Sequence, residues 1–215
     1  MLKTLHNRMA SRSAFWNDRY ETDAFVYGTA PNAFVKEAAD RWLAEPSEIL
    51  DLGAGEGRNA VFLAARGHAV TAVDFSSAGL QKVERLAADA EVAVDARRAD
   101  VTTWQPDRTW DAVVVTFLHL APPDQTRLYR LIRDALRPGG VLIAEWFRPE
   151  QITGGYDSGG PPDIEKMVAP DDLREAFPEA GIEHLAAGYP HLDEGPHHAG
   201  EGATVRLVWR RPNSD

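Results

Sequence analysis

The sequence predicts a doubly wound α/β fold on a seven-stranded, mostly parallel sheet whose last strand runs antiparallel. Three observations predict it. From residue 48, short β-branched runs alternate with longer amphipathic runs, the pattern of parallel βαβ units with right-handed crossovers. The first strand-like run ends in a glycine-rich turn that opens a helix. The last two are joined by a turn-rich stretch too short for a helical crossover, so they should pair antiparallel.

Taken in order, Glu48–Leu52 (EILDL) reads as a buried strand and Asn59–Arg66 as a helix, with Val61, Phe62 and Ala65 at helical spacing and Gly67 as its stop. Ala69–Asp74 is a second strand. Ser76–Ala88 is a second helix, with Ser76 or Ser77 as N-cap. Glu91–Arg97 is a third, weaker strand. Trp110–Phe117 is a fourth, apolar on nearly every position as expected of a strand covered on both faces. Pro123–Leu136 is a third helix closed by Pro138-Gly139-Gly140, and Val141–Trp146 a fifth strand. The stretch 148–168 holds Gly154, Gly155, Gly159, Gly160, Pro161 and Pro162 and reads as a long mobile loop of the kind that forms lids. Pro170–Phe177 is a short helix with proline in its first turn. Ile182–Tyr189 and Ala203–Arg210 are the final strands, joined through 190–202. Residues 1–47 hold Phe15, Trp16, Tyr20, Phe25, Tyr27 and Phe34, too many aromatics for a disordered tail, and are expected to cap the site. Without a linker-like stretch, one domain over 1–215 is expected.

Composition narrows the function classes. Of 215 residues 44% are apolar and 26% charged, enough for a core and unlike a disordered chain. A net charge of −10 repels phosphate backbones, so a nucleic-acid partner is not expected. The absence of cysteine excludes disulfides, thiolate metal sites and a cysteine nucleophile. No apolar run approaches the roughly 20 residues of a membrane helix. The first 15 residues lack the apolar core of a secretory signal. A cytoplasmic location without a membrane partner is the expectation; the sequence specifies no oligomeric state.

The turn Asp51-Leu52-Gly53-Ala54-Gly55-Glu56-Gly57 lies where open α/β sheets place ligands, at the carboxyl end of a strand. Glycines there allow positive φ and close approach of a ligand to the main chain. A tight turn with no ligand is the plain alternative. The glycines at 53, 55 and 57 depart from the G-x-G-x-x-G of dinucleotide sites. Asp51, two residues before the first, would repel a pyrophosphate but attract an amino group or a sulfonium. A cationic nucleoside fits better. Asp74, at the end of the second strand and followed by Phe75, is placed to accept both ribose hydroxyls, or else to complement a helix dipole. Asp100 is placed to accept adenine amino hydrogens while the Val101 N–H donates to a ring nitrogen; a solvated loop acid is the alternative.

These residues resemble the class I S-adenosylmethionine (SAM)-dependent methyltransferases. The matching stretches are ILDLGAGEGRNAVFLAARG (49–67), VTAVDFS (70–76), the acid of RRADV (97–101), WDAVVVTFLHL (110–120) and LRPGGVLIAEWF (136–147). The resemblance implies SAM as cofactor. Gly53 and Gly55 would lie under it, Asp51 would hold its amino group, Asp74 would bind its ribose and Asp100 with Val101 its adenine, with Ala54 and Phe75 as further cofactor-binding residues. Phe117 would lie nearest the sulfonium. FWNDRYETDAFVYGTAPNAF (15–34) and LDEGPHHAGEGATVRLVWRRP (192–212) are similar to segments of tellurite-resistance and thiopurine methyltransferases. That narrower likeness implies a small-molecule acceptor; thiols, metalloid oxyanions, amines and small hydroxylated metabolites all stay open.

Candidates for the acceptor side are Arg19, which could bind the cofactor carboxylate or an anionic acceptor, and Tyr20 and Tyr27, which could seal the site through their ring faces. His119, just past the fourth strand, is placed either as a base or for a backbone contact. His198, with Glu194 nearby, reaches the acceptor in the narrower likeness; a solvated turn is the alternative. Glu145 and Trp146 could line the pocket, with Arg148 or Arg19 as the partner that a buried carboxylate needs. Two other functions stay open: a SAM-binding protein without catalysis, and a metal-dependent hydrolase built on the ligand-capable run His191, Asp193, Glu194, His197, His198. Adjacent histidines in a turn do not make an H-E-x-x-H helix, and no metal is expected.

Overall fold

A computed structural model describes residues 14–213. A first helix, α1, covers residues 14–20. It is followed by α2 (Ala33–Trp42), β1 (Glu48–Leu52), α3 (Arg58–Ala65), β2 (Ala69–Asp74), α4 (Ser77–Asp89), β3 (Val94–Arg98), β4 (Trp110–Thr116), α5 (Pro122–Ala135) and β5 (Leu136–Phe147). Beyond these lie α6 (Glu150–Thr153), α7 (Pro170–Ala176), β6 (Ile182–Gly188), β7 (His191–Asp193), β8 (Ala199–Glu201) and β9 (Thr204–Arg210).

The main sheet has the order β3-β2-β1-β4-β5-β9-β6. Only β9 runs against the rest, between β5 and β6. This is the expected seven-stranded, doubly wound sheet. The order reverses at β1, which pairs with β2 on one side and β4 on the other, so the carboxyl ends of β1, β2 and β4 meet at the switch point where such folds bind ligands.

Strand alternation distributes the core. Ile49, Val70, Ala72, Val114 and Ile143 pack against α2, α3 and α4, while Leu50, Leu52, Val113, Leu142, Ala144 and Trp146 pack against α5 and α7. By the same parity Glu145 points to the α2 face, where Asn32 caps that helix by accepting from the Val35 N–H.

Three local differences from the sequence reading have physical causes. β3 starts at Val94 rather than Glu91, because Glu91 takes a left-handed φ of 56° that closes α4. The 190–202 connection is not only turn: β7 and β8 pair as a hairpin, with His191 opposite Glu201 and Asp193 opposite Ala199. The stretch 148–168 contains α6 and a 3-10 turn at Ile164–Lys166, and buried Gln151 ties it down. Gln151 Nε2 donates to Ser158 Oγ and the Gly159 carbonyl, and its Oε1 accepts from the Ala203 N–H. Among the described residues no helix is long and apolar enough to cross a membrane.

Candidate active site

The glycine turn is pinned to β2, since the Gly53 and Ala54 N–H groups both donate to the Val73 carbonyl. Gly55 has a φ of 56°, and a Cβ there would lie 3.0 Å from the Tyr20 hydroxyl. Only glycine lets the backbone turn left-handed beneath that group.

Asp51 is 1% exposed, and its Oδ2 makes no hydrogen bond. Burial, and then the charge of Asp74, push its carboxyl up to about 7. Asp74 is also buried and raised, mainly by desolvation, but Gly55 N–H donates to its Oδ2 (2.9 Å) and Ser76 N–H to its Oδ1 (2.8 Å). The backbone of Phe75 is a third donor to this carboxylate, which still has acceptor capacity for a hydroxyl. The Ala99 N–H bonds to the Asp74 carbonyl, which brings the end of β3 alongside. There Asp100 Oδ1 accepts from the Thr102 N–H and hydroxyl, and Val101 is buried in the core. Phe75 is half-buried beside Asp74.

The opposite wall is aromatic. Phe117 follows β4 with a φ of 54°, sparsely populated for a residue with a side chain and typical of sites that need a fixed geometry. Its ring meets His198 edge-on at 4.4 Å and Phe147 at 4.6 Å, and Tyr27 lies 4.6 Å from His198. Burial, and then the charge of Arg58, hold the His198 imidazole down at about 3, so it is uncharged at neutral pH. Its Nδ1 makes no hydrogen bond. A Cβ on Gly159 would lie 2.6 Å from His198 Cδ2, so the 148–168 segment closes directly on this ring.

A matching family model describes a methyltransferase domain over residues 49–140. The demethylmenaquinone methyltransferase of Clavibacter sepedonicus is 31% identical over 189 residues, covering 74% of this chain and 76% of that protein. The chain belongs to the class I SAM-dependent methyltransferases. A trans-aconitate 2-methyltransferase of Mycobacterium tuberculosis is 33% identical over 113 residues, 51% of this chain but 38% of that longer protein. A tRNA 5-carboxymethoxyuridine methyltransferase of Escherichia coli is 25% identical over 172 residues, 70% of this chain and 66% of its own length. Among solved structures, one from a study of the conversion of a disulfide bond into a thioacetal group in echinomycin biosynthesis has a TM-score of 0.72 at 20% identity, covering 94% of both chains. TehB from Haemophilus influenzae has 0.68 at 17%, covering 93% of this chain and 66% of its own.

The cofactor of this methyltransferase is SAM, and the residues present fit it. The unpartnered, buried Oδ2 of Asp51 lacks a cation, and an α-amino group is one. The turn carries no side chain at 53 or 55, where a Cβ would crowd Leu118 or Tyr20, and Asp74 lies one strand away.

Several expected site residues are placed otherwise. His119 is fully engaged, with Nδ1 2.9 Å from the Lys166 carbonyl and Nε2 accepting from the Phe147 N–H. Neither nitrogen is left for an acceptor, so of its two readings the backbone contact is the one seen. Trp146 turns into the core on the α5 face and donates to the Leu118 carbonyl, away from any pocket. Glu145 pairs not with Arg148 or Arg19 but with Arg206, its cross-strand neighbour, whose Nε is 2.7 Å from Oε1. Arg19 donates to the Tyr27 hydroxyl (2.9 Å) and covers the Phe15 and Trp16 rings. Tyr20 is buried under Trp16 and over Gly55. Within the 191–198 run, His197 is exposed while His198 is buried, and among the described residues no cluster of three histidines or acids is set to hold a metal.

Sequence reasoning missed the residues that hold the N-terminal segment. Glu56, inside the glycine turn, accepts from the Val26 and Tyr27 N–H groups and from buried Lys82. Asn32 Nδ2 donates to both Glu145 Oε2 (2.7 Å) and Glu194 Oε1 (2.9 Å), and its N–H donates to Asn59. Glu56 was visible as a charged residue between the glycines of the turn, but its contacts lie 29 and 30 residues back, at Tyr27 and Val26, and 26 residues ahead, at Lys82.

Proposed function

We propose that this enzyme methylates a small-molecule acceptor, with the cofactor held by Asp51, Gly53, Ala54, Gly55, Asp74, Asp100 and Val101 and the acceptor beside His198, Phe117 and Tyr27. When bound, SAM supplies a methyl on a positively charged sulfur that an in-line nucleophile displaces. The observation that carries the reading is the unpartnered, buried carboxylate oxygen of Asp51 in β1, and on the acceptor side it is joined by an uncharged His198 whose Nδ1 makes no hydrogen bond.

The protein's own contribution is alignment and exclusion of water. Phe117, Phe147 and Tyr27 present ring surfaces around His198 and shed water from it. His198 orients the acceptor by accepting a hydrogen bond, and takes a proton only if the nucleophile arrives protonated. A thiolate or an oxyanion needs no base. The named substrates of the demethylmenaquinone and trans-aconitate enzymes support a small acceptor, as does the close approach of Gly159 to the imidazole. The end motifs support placement near the tellurite-resistance and thiopurine group.

A screen of thiols, metalloid oxyanions, small organic acids and tRNA, read by release of S-adenosylhomocysteine (SAH), tests the acceptor class. Turnover on a small molecule is expected; turnover on tRNA alone would overturn the reading. His198→Ala should leave SAH binding intact by calorimetry and reduce turnover at least tenfold. A wild-type rate would remove His198 from the site.

A further inference from the structure

The hairpin tip brings a carboxylate, Glu194, between two cationic or potentially cationic groups. Arg58 Nη2 lies 2.7 Å from Glu194 Oε2, and His198 Nδ1 lies 4.0 Å from that same oxygen. The nearer contact is an ion pair; the farther one is beyond hydrogen-bond range. The other oxygen, Oε1, is occupied by Asn32 Nδ2 and the Ala33 N–H. Glu194 is therefore held on three sides, and His198 Nδ1 is left without a partner although a carboxylate faces it. All three side chains are buried, so the competition takes place in a medium where charges act strongly.

We infer that Arg58 is a positioning residue: by holding the Glu194 carboxylate it withholds that carboxylate from His198 and leaves Nδ1 without an anionic partner on the acceptor side. The inference rests on the proposed acceptor role of His198 only for its functional meaning; the competition itself is a property of the folded chain. It also gives Arg58, the first residue of α3 after the glycine turn, a role toward the acceptor rather than the cofactor.

Removing the guanidinium should let Glu194 close the remaining ångström and pair with His198. A histidine with a carboxylate partner is a stronger base. The groups facing the imidazole are Arg19 from α1, Tyr27 from the segment after it, Arg58 from α3, His119 past β4, and Glu194 and His197 from the hairpin. Of these Glu194 is the one acid, so loss of Arg58 changes the balance in one direction.

The test is the NMR titration of His198 in the full chain with labelled histidine, its resonance assigned by loss in His198→Ala. In the ligand-free wild type, His198 should stay uncharged down to pH 5. In Arg58→Gln its midpoint should rise by at least one pH unit, a tenfold or greater gain in proton affinity. Adding Glu194→Gln should reverse that rise, and Arg58→Lys should restore most of the wild-type behaviour. An unchanged midpoint in Arg58→Gln, or a rise that survives Glu194→Gln, overturns the inference. If Arg58→Gln does not fold, the wild type still decides: a midpoint at or above the ordinary 6.5 overturns it. Full turnover by His198→Ala, by contrast, would sink the acceptor role and leave the titration result standing.

Discussion

Asp51→Asn should make the ligand-free enzyme more stable and the SAM complex weaker, and the structure sets the size of both effects. The carboxyl moves from an ordinary 3.8 to about 7 in the folded protein. At 1.36 kcal/mol per pH unit, ionising it in place costs about 4 kcal/mol at most. Between those values the folded chain holds a proton that the unfolded chain has lost. The stability of the protonated form is thus complete below 3.8 and is lost as pH rises through 7. Asparagine cannot ionise, so its advantage over wild type should be about 1.6 kcal/mol at pH 5 and about 4 kcal/mol at pH 8. His119 and His198, held down at about 4 and about 3 by burial, shift stability the opposite way, but both proteins contain them and the difference cancels them. Urea unfolding followed by circular dichroism at several pH values measures the advantage. Calorimetry with SAH should show a loss of about 1.5–3 kcal/mol in Asp51→Asn, the worth of a hydrogen bond to a charged group. A stability difference flat with pH, or undiminished SAH affinity, refutes the assignment of Asp51 as the amino-group partner.

Asp74→Ala should weaken SAH binding by roughly 1–3 kcal/mol, through ribose hydroxyls and the Gly55 and Ser76 N–H groups left without an acceptor; calorimetry showing wild-type affinity would reject the role. Gly55→Ala places a Cβ 3.0 Å from the Tyr20 hydroxyl at a left-handed φ. It should cost about 1–2 kcal/mol and speed amide exchange over residues 14–31, whereas unchanged exchange would mean that Tyr20 does not hold the segment on the turn. Gly159→Ala, at a φ of 123° with a Cβ 2.6 Å from His198, should cut turnover on an identified acceptor while sparing SAH affinity. Loss of SAH affinity instead would show that the loop serves the cofactor.

The proposed cofactor half of the site could be read from the sequence because it is local. Asp51, the glycines, Asp74 and Asp100 each sit at or just past a strand end, and alternation of strands and helices places strand ends side by side. The acceptor half depends on pairings across the chain. Glu145 finds Arg206 only through the antiparallel register of β5 and β9, and finds Asn32 only because parity turns it toward α2. Trp146, one residue on, falls on the other face for the same reason. His119 looked like a candidate base because strand-end position does not reveal that two backbone groups, the Lys166 carbonyl and the Phe147 N–H, converge on its two nitrogens. The hairpin in 190–202 was hidden because its strands are three residues each, too short for a periodic signal.

One buried chain of charges explains why the N-terminal segment and the hairpin sit where they do. Arg58, Glu194, Asn32, Glu145 and Arg206 follow one another through contacts of 2.7–2.9 Å. Two guanidiniums face two carboxylates, so the set is neutral, and the amide of Asn32 joins its halves. A buried carboxylate that loses its partner is costly, on the order of 3–5 kcal/mol for a broken buried pair. Glu145 can bring Arg206 from its own sheet, but its second oxygen needs Asn32, and Asn32 arrives only when the segment before α2 docks. Glu194 needs Arg58 and Asn32 together. The segment and the hairpin therefore gain most by docking jointly, since the hairpin alone leaves oxygens of Glu194 and Glu145 without Asn32, and the segment alone leaves Arg58 without its carboxylate. That coupling sets His198, on the hairpin, against Tyr27, on the segment, and it makes the acceptor wall a product of the network rather than of any one element.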